Sequence, residues 1–131
     1  MKITSLIIAL GGLAAVTAGA FVPDHAAAED APGRAQFMET CAACHQPDGT
    51  GIPGAFPALA GTPFVQGDAK AVVTVLINGR AGMPSFRDDL TDEQIANALT
   101  YVRSAWGNQA APISRDMVAE VRRAADQTGG I

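Results

Sequence analysis

The sequence is poor in the residues from which most reactive sites are built. Its 131 residues hold two cysteines, two histidines, one tryptophan and one tyrosine, and aromatic side chains make up 5% of the chain. A structural zinc site takes four protein ligands. It would need all four of these side chains, and His25 stands apart from the rest near the amino terminus, so zinc is not expected. Basic charge is also scarce, with 9 Lys and Arg against 13 Asp and Glu and a net charge of −4. That excludes the basic patch that nucleic-acid binding requires. No strand pattern surrounds the cysteines, which removes a thioredoxin-like redox pair. So short a chain with so few aromatics builds only a modest core of its own.

The chain begins with a leader. Met1-Lys2 is followed by an uncharged run from Ile3 to Val22 and then by Pro23-Asp24-His25-Ala26-Ala27-Ala28, the layout of a secretory signal peptide. Cleavage is expected after Ala28, with Ala20 as a second position. The alternative is an uncleaved anchor, weakened by Gly11, Gly12 and Gly19. This predicts an exported, periplasmic protein, held to the membrane only if the leader is retained. Loss of residues 1–28 removes one base, Lys2, and one acid, Asp24, so the net charge stays at −4. It also removes His25 and leaves His45 as the only histidine.

Cys41-Ala42-Ala43-Cys44-His45 is the stretch that decides the chemistry. Two thiols three positions apart with a histidine directly after is the attachment sequence of a c-type haem, with the imidazole as an axial ligand. A plain disulfide suits an exported protein but does not account for His45. A second ligand is expected from Ala81-Gly82-Met83-Pro84, because a thioether is soft enough for haem iron and Pro84 restricts Met83 to a loop geometry. Met38 lies too near the thiols in sequence to serve, and Met117 sits in a polar segment.

The flanking pattern is helical. A lead-in at 29–33 precedes a helix from Gly33 to about His45, with Phe37, Met38, Cys41 and Cys44 on one face. Residues 46–63 are rich in glycine and proline and read as a long loop, in which Ile52, Phe56 and Leu59 would line a porphyrin. Asp68 caps a helix through about Ile77, stopped at Asn78-Gly79, and Arg80 follows at the helix exit, either to pair with a haem propionate or simply to be solvated. Thr91 and Gln94 form a capping box. From there Ile95, Ala98, Leu99, Val102 and Trp106 make a helical stripe. Ser114 to about Gln127 reads as a last helix, peripheral or a docking tail.

With these residues the chain resembles a class I monohaem cytochrome c over about Gly33 to Trp106. The resemblance implies an all-α fold of three to four helices around one covalent haem c, bound through Cys41 and Cys44. It also implies a hydrogen bond from His45 to the Pro57 carbonyl, packing of Leu59 on the haem, and a helix crossing in which Gly33 and Phe37 meet Ala98 and Tyr101. Residues 29–107 are then the cytochrome domain and 108–131 an extension. The function implied is one-electron transfer, not enzymatic turnover, between redox proteins: a dehydrogenase donor and an oxidase or reductase acceptor. The alternative is a haem enzyme or small-ligand sensor in which Met83 is displaced. Trp106 and the extension are expected as an interface with a larger subunit, so that deleting 108–131 would spare the haem spectrum.

Overall fold

The computed structural model describes residues 25–128. Residues 1–24 of the expected leader, with the second cleavage position at Ala20, lie outside that range, as do the last three residues; the position at Ala28 falls within it, and the side chains of 25–31 are not described. Among the described residues there are six helices and no strand: α1 (His25–Thr40), α2 (Ala42–His45), α3 (Pro63–Gln66), α4 (Ala69–Asn78), α5 (Asp92–Ser104) and α6 (Arg115–Thr128). Helix α1 runs straight through the stretch read as a lead-in, with Pro32 inside it. Proline removes one intrahelical donor, but Ala26, Ala27, Ala28 and Ala31 are strong helix formers and the helix persists.

The caps sit where the side chains dictate. Asp68 Oδ1 accepts from the amides of Lys70 at 2.8 Å and Ala71 at 3.3 Å, opening α4. Thr91 Oγ1 accepts from Gln94 N at 3.2 Å and Gln94 Oε1 accepts from Thr91 N at 2.9 Å, closing the capping box of α5. Helix α3 was not anticipated. It is one turn with Thr62 as cap and Pro63 in its first turn, a position where a missing N–H costs nothing.

Helix α1 packs mainly on α5, and the two approach closely at Gly33. A Cβ there would lie 2.3 Å from the Asn97 carbonyl oxygen and 2.9 Å from Tyr101 Cβ, so no larger residue fits. Phe37 is fully buried, with its ring 5.5 Å from Tyr101 and 5.1 Å from Trp106. Trp106 lies beyond the end of α5, and its ring covers Gly49 so tightly that a Cβ there would sit 2.5 Å away. The residue expected on a helical stripe is thus half-buried, packed between Phe37 of α1 and Gly49 of the loop that follows the Cys motif.

The segment after α5 turns back onto the core. Asn108 and Ile113 are buried, and α6 packs on α4 and α5 through buried Val118 and Val121. Arg103, also buried, donates to the carbonyls of Ala111 at 2.9 Å, Val65 at 2.6 Å and Gly67 at 3.2 Å. It pins this segment and α3 to α5. Burial lowers its pKa, and the three carbonyls take the place of a carboxylate partner. The apolar interior forms two clusters. One joins α4, α5 and α6 through Val73, Ile77, Ile95, Leu99 and Val118, and the other holds Phe37, Ala42, Val65 and Val102.

Candidate functional site

The end of α1 and the turn of α2 present the Cys motif. Cys41 N donates to Phe37 O at 2.8 Å, and the amides of Cys44 and His45 donate to Cys41 O at 3.1 and 3.0 Å. The thiols are therefore one helical turn apart. Both are free and half-buried. Burial, reinforced by Cys44, pushes the Cys41 thiol up to about 11. A protonated thiol is a poor nucleophile for disulfide exchange, which argues against a catalytic dithiol.

His45 is buried, and its Nδ1–H donates to the Pro57 carbonyl oxygen at 2.9 Å, the pairing the resemblance implied. A carbonyl only accepts, so the proton is on Nδ1 and the Nε2 lone pair is left over. No partner for Nε2 exists among the described residues. The loop that delivers Pro57 is fastened at its base. Gly51 N donates to His45 O at 2.9 Å, while Leu59 N and Ala60 N donate to Gly49 O at 2.8 and 3.0 Å. Gly51 has φ +67°, and a Cβ would lie 2.4 Å from Phe56 O, so glycine is required where the loop folds on itself.

Met83 comes from the loop between α4 and α5. Its backbone pairs with Arg80, Arg80 N to Met83 O at 3.1 Å and Met83 N to Arg80 O at 2.9 Å, and its half-buried side chain packs against the α4–α5–α6 cluster. Cys41 and Leu59 border the other cluster. The Cys41 side of the site and the Met83 side thus rest on separate apolar bodies. Ile52, Phe56 and Phe64 remain notably exposed for side chains of their kind. Arg80 lies with its guanidinium 4.8 Å from the Phe64 ring centre, a cation–π contact.

These residues fit a covalent haem on their chemistry alone. Two free thiols one turn apart and an imidazole whose Nδ1–H is engaged, leaving Nε2 free, suit its attachment, and the Met83 thioether stands on the other apolar cluster. Asn108, Arg103, Trp106 and Gly49, which hold the loop and the motif in place, were not singled out as site residues from the sequence. Their contacts bridge distant positions that no local spacing reveals.

The comparisons with known proteins agree. The family described as "Cytochrome C oxidase, cbb3-type, subunit III" matches residues 28–102. The chain belongs to the cytochrome c family. Cytochrome c-552 of Thermus thermophilus is 38% identical over 90 residues, covering 56% of this chain and 68% of that one. The cytochrome c subunit of the quinone-dependent alcohol dehydrogenase of Gluconacetobacter polyoxogenes is 33% identical over 91 residues, or 60% of this chain and 19% of that one. The fructose dehydrogenase cytochrome subunit of Gluconobacter japonicus is 36% identical over 110 residues, 72% of this chain and 23% of the other. This cytochrome c chain therefore spans about a fifth of the length of such dehydrogenase subunits. Membership implies a covalently bound c-type haem and haem-based electron transfer, and Cys41 and Cys44 have the spacing that attachment requires. No helix among the described residues is long and apolar enough to cross a membrane.

Proposed function

We propose that this cytochrome c is a periplasmic one-electron carrier with His45 and Met83 as its axial ligands. When bound, the haem supplies a ferric/ferrous couple whose potential methionine ligation raises. The observation that carries the reading is the His45 Nδ1–H to Pro57 carbonyl bond at 2.9 Å. It orients the ring and engages Nδ1, leaving Nε2 as the nitrogen that faces the metal. Cys41 and Cys44 hold the porphyrin edge, and Leu59, Phe56 and Ile52 shield it from water. Arg80 offers its guanidinium to a propionate in place of the Phe64 ring. With both axial positions filled from the chain, substrate has no site on the metal.

The donor is proposed to be a dehydrogenase and the acceptor an oxidase or reductase, in keeping with the dehydrogenase subunits and the cbb3-type oxidase subunit CcoP among the relatives. The net charge of −4 favours partners with a basic docking face and makes encounter salt-dependent.

The test is an optical spectrum of the haem-loaded protein, oxidised and reduced, for the wild type and Met83→Ala. A low-spin spectrum with a ferric near-infrared methionine-to-iron band that vanishes in the variant is expected. A wild type without that band, or a variant that keeps it, would remove Met83 from the ligand set and favour the ligand-binding alternative.

A further inference from the structure

Methionine ligation has a conformational cost, since Met83 stands on a loop between α4 and α5 without regular secondary structure from Gly79 to Thr91. A ligand on a loop that is correctly placed only a fraction of the time binds weaker by that fraction. What holds this loop is therefore part of the ligand's strength. On the α4 side, Ser85 Oγ donates to Ile77 O at 2.6 Å and Phe86 N to Leu76 O at 2.8 Å. On the other side the loop is held by polar contacts from α6, which lies beyond the span matched to the family, 28–102.

Arg122 is the centre of that hold. Its guanidinium donates from Nε to Asp92 Oδ1 at 2.7 Å, from Nη2 to Leu90 O at 3.0 Å, and from Nη1 to the Arg87 carbonyl. One side chain thus grips two carbonyls of the loop and the first residue of α5. Arg87, so held, reaches with its own guanidinium to Asp126 of α6 and, at 2.8 Å, to Asn78 Oδ1 at the end of α4. The ring of contacts is closed on α4, the loop and α6. Inside it, Met83, Phe86 and Leu90 pack on the cluster that includes Val118 and Val121 of α6. Arg122 and Asp92 are each less than a third exposed, where an ion pair is screened less than on the open surface. A guanidinium matched to three acceptors cannot be replaced by a single-point ammonium.

We propose that Arg122 is a positioning residue for Met83: by clamping Arg87, Leu90 and Asp92 it keeps the methionine loop in its ligating conformation and so sets the strength of the sixth ligand. The proposal rests on Met83 being that ligand. Releasing the clamp loosens the loop, weakens the sulfur's hold and opens the position to exogenous bases.

The experiment uses the full haem-loaded chain and three variants, Arg122→Ala, Arg122→Lys and Glu120→Gln. The last breaks a different α6 contact, the Lys70–Glu120 pair at 2.6 Å, which does not touch the loop. Each protein is read by its near-infrared methionine band, its midpoint potential and the affinity of the ferric form for imidazole. Arg122→Ala is expected to bind imidazole about tenfold more tightly, equivalent to ~1.4 kcal/mol, with a weakened band and a lowered potential. Arg122→Lys should fall between it and the wild type, and Glu120→Gln should match the wild type. A folded Arg122→Ala with wild-type band, potential and imidazole affinity overturns the proposal, as does an equal change in Glu120→Gln, which would mark general loosening. Should Arg122→Ala not fold, Arg122→Lys decides by the same readouts, and wild-type values there overturn it. A wild type without the band, or a Met83→Ala variant that retains it, removes the ligation reading itself and this proposal with it.

Discussion

Asn108 shows how much one buried amide can organise. Its Oδ1 accepts from Gly61 N at 2.8 Å, and its Nδ2 donates to Leu59 O at 3.1 Å and to Val102 O at 2.8 Å. The side chain thus stitches the end of α5 to the loop that carries Leu59. Replacing it with alanine takes this partner from three backbone groups, of which the Val102 carbonyl is buried, and a buried group left unpaired costs roughly 1–3 kcal/mol. Asn108→Ala is therefore expected to lower the stability of the haem-loaded protein by about 2 kcal/mol in a denaturant titration while leaving the near-infrared band in place. In the sequence Gly107-Asn108 reads only as the stop of the helix that carries Trp106. The Cys motif was legible because its geometry is local, within one helical turn. Asn108 was not, since its partners lie 47 and 49 residues away and an asparagine after a glycine has an ordinary local explanation.

Among the elements, those announced by a side-chain cap were legible. Asp68, the Thr91–Gln94 box and Ser114, whose Oγ accepts from Met117 N at 3.2 Å, each open a helix close to where the pattern placed it. The one-turn α3 was missed at the far end of the glycine- and proline-rich stretch, although Thr62-Pro63 is itself a starting signal. What the periodicity of α6 could not convey is its depth. Ile113, Val118 and Val121 are all buried, and burying an aliphatic side chain is worth roughly 1.5–3 kcal/mol. Three of them amount to much of the 5–15 kcal/mol by which a domain typically outlasts unfolding. Deleting residues 108–131 is accordingly expected to abolish cooperative unfolding, or prevent accumulation of the folded protein, and to perturb the haem spectrum. This reverses the outcome expected from reading the segment as an interface with a larger subunit, whose deletion would weaken assembly and spare the haem spectrum. A truncated chain with a wild-type spectrum and melting curve would contradict the packing of α6.

At the scale of the molecule, the interior is two apolar clusters with a ligand-bearing segment beside each, and several large apolar side chains stay exposed. A domain of this length has little stability to spare, and a cofactor bound only by the folded state adds its own share. The Cys41→Ala/Cys44→Ala double variant, which cannot form thioethers, is expected to retain helical far-ultraviolet circular dichroism but lose the near-ultraviolet signal and the sharp thermal transition. That pattern marks lost side-chain packing with helices retained. Native near-ultraviolet dichroism and a cooperative melt in haem-free protein would show that the polypeptide completes its core alone.

The placement of Trp106 has one more consequence. It is the only tryptophan in the chain, and it is wedged against Phe37 and Gly49, one on the helix that leads into Cys41 and the other just past His45. The protein therefore contains a single tryptophan emitter lodged beside the segment that carries a strong visible absorber. Emission from the haem-loaded, folded molecule is expected to be quenched and to brighten when that segment and α5 part, an internal optical gauge of the chain's integrity.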